Sequence, residues 1–393
     1  MANVTLVLGV ALSIAALVGC SNDRADIAPS TKSLLDESTA TPAEGQADAA
    51  WAKALQPREF NFPADHGAHS DYRIEWWYFT GNLTTPTGRR FGYQLTFFRT
   101  GMLREPENPS RWVVRDLYTA HFAVSDIRAE KHSFAQRTRR AGIDAAGAAT
   151  GRPQVWNGDW RVEAEGDTHR LTAQADDFAI DLALEPGKGV VLQGAGGLSQ
   201  KGAAEGNASH YYSMPRMPTA GTLTVHGETF SVTGDSWMDH EFSTSFLEPG
   251  QRGWDWLSLQ LDDNSELMLY QMRRSDGSFD PYSSGSFVGA DGASTELRST
   301  DFRLTPGKTW RSEATGARYP LSWQVEVDSL GLKLQVTPAF KEQEMATEAT
   351  TGIAYWEGAM EVSGSRGARP IAGRGYLELT GYTETELGSL LGR

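Results

Sequence analysis

From Pro57 onward, apolar and polar residues alternate in short runs, and each run is closed by a turn signal. A period of two puts successive side chains on opposite faces of a strand, so this pattern predicts half-buried β-strands. No stretch of about 12 residues keeps a helical period, except the end from Glu384. Residues 72–83 and 91–98 flank the turn Thr84-Thr85-Pro86-Thr87-Gly88 and read as a long hairpin. Residues 116–126, 155–165, 169–175 and 178–185 follow as strands, with 141–151 as a loop. Further hairpins are read at 221–233, 254–273 and 321–337, and the strands 352–362 and 373–382 close the set. The length of 393 residues allows two domains. A short echo, Trp76-Trp77-Tyr78 against Tyr355-Trp356-Glu357, suggests two similar ones. The expected fold is all-β, with two tandem antiparallel barrel or sandwich domains at 57–225 and 226–385.

The first residues read differently. Residues 4–18 are apolar apart from Thr5, Ser13 and a glycine, shorter than the roughly 20 residues that span a bilayer, and no charged side chain precedes Cys20. The stretch ends Leu17-Val18-Gly19-Cys20, which resembles a bacterial lipobox, and Cys20 is the single cysteine of the chain. This predicts a signal peptide over 1–19, lipidation of Cys20, and a solvated tether over 20–56. Ser21 after the cysteine leans toward the outer membrane, on the periplasmic side of a bacterial envelope. One cysteine also excludes an intrachain disulfide or a thiolate metal cluster. With 36 basic against 50 acidic residues, a net charge of -14 and no basic stripe, nucleic acid is not an expected partner.

Four clusters could carry chemistry. The densest is Asp235-Ser236-Trp237-Met238-Asp239-His240-Glu241-Phe242. If extended, Trp237, Asp239 and Glu241 share one face, while Ser236, Met238, His240 and Phe242 share the other. Adjacent Asp239 and His240 then cannot ligate one metal, and neither a metal site nor a cofactor is read. The segment fits equally a loop with solvated acids and His240 in a polar niche. The second cluster is Ser209-His210-Tyr211-Tyr212-Ser213, with His210 and Tyr212 on one face; packing alone explains it as simply. In Glu75-Trp76-Trp77-Tyr78, core packing is the simpler account, although a buried Glu75 would need a partner. Trp254-Asp255-Trp256 puts two tryptophans on one face with Ser258 and Gln260, which suits a pocket as well as a core. There is no Gly-x-Ser-x-Gly elbow, no His-Glu-x-x-His and no phosphate loop.

Taken together, Glu75-Trp76-Trp77-Tyr78-x-x-Gly81-x-Leu83, His210-Tyr211-Tyr212-Ser213, Ser236-Trp237-Met238-Asp239-His240-Glu241 and Trp254-x-Trp256 resemble the carotenoid 1,2-hydratase/AttH-like family over about Pro57 to Tyr382. The resemblance implies tandem lipocalin-like barrels. It places the hydratase branch's catalytic histidine, aromatic and Asp positions on His210, Tyr212, Trp237 and Asp239, with His240 continuing the Asp-His pair. Glu75, Trp77, Trp254 and Trp256 are the candidate ligand-binding residues. Glu241, where hydratases tend to have Asn, fits the secreted branch of predicted hydrolases better. The implied chemistry is acid-catalysed hydration or hydrolysis of an apolar, isoprenoid- or lipid-like ligand, with Asp239 as acid, aromatic faces steadying a cation, and His210 handling water. It requires His210 and Asp239 to converge on one pocket. The alternative is a non-catalytic carrier that works with an ABC-type permease. A structural envelope protein with filled barrels is a third reading.

Overall fold

The computed structural model describes residues 51–104, 110–245 and 247–383. Cys20, the signal peptide, most of the tether and the segment from Glu384 lie outside them.

Thirteen strands form the first sheet: β1 (Ile74–Thr84), β2 (Arg90–Gly101), β3 (Asp116–Asp126), β4 (Lys131–Arg140), β5 (Ala146–Ala148), β6 (Gln154–Asn157), β7 (Trp160–Glu165), β8 (Thr168–Gln174), β9 (Phe178–Leu184), β10 (Val191–Leu192), β11 (Leu198–Gln200), β12 (Ala208–Val225) and β13 (Glu228–Ser243). Their order is β4-β3-β2-β1-β13-β12-β9-β8-β7-β6-β5, antiparallel throughout, with β10 and β11 also on β12. The sheet curls until its ends nearly meet. Asn157 Nδ2 on β6 donates to Tyr118 O on β3 at 2.8 Å, and Trp160 packs edge-on to Phe122.

Ten strands form the second sheet: β14 (Gln251–Leu261), β15 (Glu266–Arg274), β16 (Ser284–Val288), β17 (Ser294–Arg298), β18 (Arg303–Pro306), then, after a separate two-stranded ribbon β19 (Thr309–Arg311) and β20 (Arg318–Pro320), β21 (Trp323–Val327), β22 (Leu332–Pro338), β23 (Glu344–Ala346), β24 (Ala354–Arg366) and β25 (Arg369–Leu379). Each barrel is filled by its own alternate residues: Phe79, Phe91, Phe97, Phe122 and Trp160 in the first, and Leu257, Leu269, Trp323, Trp356 and Leu377 in the second.

Two expectations need correction. The domain boundary does not fall at 225/226. That position is the β12–β13 turn, where His226 and Gly227 take φ of 51° and 78°, and β13 pairs with both β12 and β1. The break between the sheets lies between Ser243 and Gln251. A good turn signal inside an unusually long hairpin looks like a boundary, because sequence shows the turn but not the partner strands. Nor is the solvated tether continuous to residue 56. Ala52 donates its N–H to Asp71 O at 2.9 Å, Ala54 is buried, and Trp51 covers Gly101.

The two barrels lie back to back. Outward residues of β1, β12 and β13 (Tyr78, Tyr211, Trp237) pack against outward residues of β14, β15, β24 and β25 (Trp256, Met268, Tyr270, Ala359, Tyr376) in a separate buried cluster. Gly92 permits this approach: a Cβ there would stand 2.5 Å from Tyr376 Oη and 3.0 Å from Ala359 Cβ. Asn82 Nδ2 donates to Gly375 O, and Gln260 Nε2 donates to Pro215 O and Ser236 O, across the same seam.

Candidate functional site

Strand parity divides the sequence-derived residues into two groups. His210 pairs with Phe242, Tyr212 with His240, and Ser213 with Asp239. Tyr212, His240, His210, Glu75 and Trp77 therefore point into the first barrel, while Trp237, Asp239, Trp254 and Trp256 face the seam between barrels. The expected convergence of His210 and Asp239 does not occur, because they lie on opposite faces of one sheet.

Inside the first barrel the polar groups form a chain. Tyr212 Oη lies 2.7 Å from His66 Nδ1 and 2.8 Å from His240 Nδ1, and His240 Nε2 lies 2.9 Å from Glu75 Oε1. His69 continues the chain, with Nδ1 2.9 Å from Glu75 and Nε2 2.9 Å from Asp65. The buried Arg99 donates from Nε to Glu75 Oε2 at 3.0 Å. Burial works against the Glu75 charge, yet the bonds from His240 and His69 and the Arg99 guanidinium hold its carboxyl well below the usual range. Burial pushes His66 down to about 3 and His169 and His210 to about 4, so these rings stay neutral near pH 7. His240 is lowered by burial as well, against the pull of Glu75. Ligand atoms of His69, Glu75 and His240 lie within 4.8 Å of one another, a spacing open to a metal. Arg99 and the His69 N–H already occupy the carboxylate, however, and both rings are engaged. The donor set is that of a self-satisfied scaffold rather than a cation cage, and Glu75 finds the partners its burial requires.

The seam is different. Asp239 is buried and accepts three hydrogen bonds: from Tyr211 Oη at 2.8 Å, from Trp237 Nε1 at 2.8 Å, and from Ser213 Oγ. Trp256 Nε1 donates in turn to Tyr211 Oη at 3.3 Å. Burial pushes Asp239 up to about 7, against those three donors. Across the seam, Tyr78 Oη of the first barrel donates to Glu357 Oε1 of the second at 2.6 Å. Glu378 stands directly opposite Glu357 in the β24–β25 register. Burial raises both glutamates; at Glu357 the Glu378 carboxyl adds to it, and at Glu378 a hydrogen bond from Trp254 works against it while Asp239 and Glu241 add to it. The nearby cation Lys201 is committed to Glu241, 3.1 Å away, and lies over the Tyr270 ring at 4.1 Å. Three carboxyls that resist ionisation thus sit among Tyr78, Tyr211, Trp237, Trp256 and Tyr376. Such a set can hold a proton near neutral pH and present it to an apolar molecule.

Two outward residues further along the same strands, the seam opens into a groove of about 390 Å³ lined by Asn82, Asp235, Gln260, Glu361 and Arg374, with Arg216. At the rise of a strand, four residues place the groove roughly 13 Å from the carboxyl layer. The sequence reading missed Tyr78, Tyr211, Glu357, Glu378 and Tyr376 as site residues. The echo of Trp76-Trp77-Tyr78 in Tyr355-Trp356-Glu357 carried the signal for two of them: its equivalent positions Tyr78 and Glu357 hydrogen-bond to each other.

Two back-to-back antiparallel barrel-like sheets, each curled around its own core with a titratable seam between them, define a tandem lipocalin-like protein. The AttH-like family model matches residues 53–382, and the chain belongs to that family. The fold is that of a protein assigned as AttH from Nitrosomonas europaea, at 39% identity and a TM-score of 0.76 over 84% of this chain and 100% of that one. Kievitone hydratase from Nectria haematococca shares the fold at 18% identity and a TM-score of 0.64, over 85% and 96% of the two chains. By sequence, the chain is 20% identical to a kievitone hydratase of Fusarium solani over 53% of its length, and 24% identical to the dehydratase asqC of Emericella nidulans over 56%. It spans 59% of the length of each of these two curated relatives.

Proposed function

We propose that this protein adds water across, or removes it from, an unsaturated apolar substrate bound in the seam between its barrels. The observation that carries the reading is Asp239, a buried carboxyl held by Tyr211, Trp237 and Ser213 and kept from ionising fully near pH 7 by its burial. Hydrating an isolated alkene needs one carboxyl that burial keeps protonated near the working pH and another that takes a proton from the attacking water, and Asp239 shares its seam with the buried Glu357 and Glu378. The cation so formed needs π faces without a nucleophile, which Trp237, Trp256, Tyr78 and Tyr376 supply. Relatives named hydratase and dehydratase support the reaction class, since the two run one addition in opposite directions. Because the barrel cores are filled by aromatic and aliphatic side chains, the ligand belongs between the barrels, entering from the Arg374 groove with its unsaturated end at the carboxyls. His210, on the other face of its sheet, takes no part in this chemistry.

Leu17-Val18-Gly19-Cys20 resembles a bacterial lipobox, and on that resemblance the reading includes a protein anchored through Cys20 in a bacterial envelope. The same anchor supports the second reading, a lipocalin-like carrier working with an ABC-type permease. The test is incubation of the purified full chain with acyclic carotenoids, quinones and lipids, together with mass spectrometry of co-purifying molecules. Hydrated product from the wild-type chain but not from Asp239→Asn supports catalysis. A bound apolar molecule recovered unchanged, from the wild type and the variant alike, supports the carrier.

A further inference from the structure

We propose that Glu357, contributed by the second barrel, is the proton donor of this seam, and that Asp239, contributed by the first, is the base that takes a proton from the attacking water. The inference rests on the hydration reading and assigns its acid and base.

The assignment follows from counting donors. Asp239 receives three hydrogen bonds from Tyr211, Trp237 and Ser213, an environment that favours the carboxylate among the three acids. Glu357 receives one, from Tyr78, on Oε1. Its Oε2 is buried and has no hydrogen-bond partner among the described residues. Glu357 also faces Glu378 directly across the antiparallel ladder, where two like charges oppose each other. The groups around it are Tyr78 from β1, Asp239 from β13, Glu378 and Tyr376 from β25, and Tyr355 on its own strand; none is a cation. Lys201, the nearby ammonium, faces Glu241 and Asp239. Burial raises Glu357 well above the ordinary carboxyl range, with Glu378 adding to it, in agreement with the donor count. The unclaimed oxygen of Glu357 is therefore the one assigned the proton that is transferred.

The step balances. The Glu357 O–H bond breaks as a C–H bond forms on the alkene, leaving a carbocation and a Glu357 carboxylate. Water attacks the cation, its oxygen forms the C–O bond, and one of its protons passes to the Asp239 carboxylate. The proton on Asp239 then returns to Glu357, and the net change is one water added across one double bond.

Infrared pH titration of the full chain tests the assignment without a substrate. The last carboxyl to lose its C=O stretch as pH rises is expected to be Glu357, so Glu357→Gln removes that band and Asp239→Asn leaves it. Glu378→Gln keeps the band and lowers its titration midpoint by about one unit or more. Survival of the last-titrating band in Glu357→Gln overturns the assignment. If that variant does not fold, an unmoved midpoint in Glu378→Gln overturns it instead. On acyclic isoprenoid alkenes that the wild type hydrates, Glu357→Gln is expected to lower kcat about a hundredfold or more with KM little changed; full turnover by it overturns the proposal. A wild type inert toward every alkene removes the proposed function, while the infrared result still decides which carboxyl holds the proton.

Discussion

A carboxyl that accepts three hydrogen bonds would ordinarily be a strong acid, and only its burial reverses this for Asp239. A group whose folded-state pKa is raised stabilises the fold below its ordinary pKa, and that contribution is lost as pH rises toward the folded value. Between about pH 4 and about pH 7, Asp239 therefore makes the protein less stable as pH rises. Asp239→Asn is expected to lack this component, and urea midpoints across the range will show the variant gaining on the wild type. Glu75 has the opposite sign. Its lowered pKa stabilises the fold above the ordinary carboxylate value, and the contribution is lost in acid. Glu75→Gln leaves the buried Arg99 with Asp116 as its remaining carboxylate partner, and an unfolding loss of about 1.5–3 kcal/mol at neutral pH is expected.

At the scale of the strand, one hydrogen bond ties the barrels at their most acidic point. Tyr78→Phe removes the donor to Glu357, and urea unfolding is expected to show a loss of about 1–3 kcal/mol. Gly92→Val drives a side chain into Tyr376 and Ala359, and is expected to cost about as much by overpacking the seam. Much of this level was legible in the sequence. The alternation in Trp237-Met238-Asp239-His240 placed Asp239 and His240 on opposite faces, as the β12–β13 register does. What alternation cannot state is which face is inside a barrel and which is covered by another. His210 and Asp239 were therefore expected together, and Glu357 passed as an ordinary echo of Tyr78. The pairing of β13 with β1, a non-local contact, leaves equally little trace in the pattern, so the β12–β13 turn reads as a domain boundary.

Across the whole molecule, acid and base sensitivity reside in different places. Five of the eight histidines, His66, His69, His169, His210 and His240, gather at one end of the first barrel, while the seam holds the reluctant acids. Both ring nitrogens of His169 are buried with no partner among the described residues. Its depressed pKa stabilises the fold above about pH 6.5, and this is lost as pH falls toward about 4. His169→Phe is expected to unfold with a shallower acid dependence than the wild type over that range in circular-dichroism melts. The central claim, that water is added at the carboxyls between the barrels, is tested most directly by turnover of an acyclic isoprenoid alkene in heavy-oxygen water by the full chain and by Asp239→Asn. The account predicts that the heavy oxygen enters the product with the wild-type protein, and at least about a hundredfold more slowly with the variant. Equal incorporation by both proteins would contradict it.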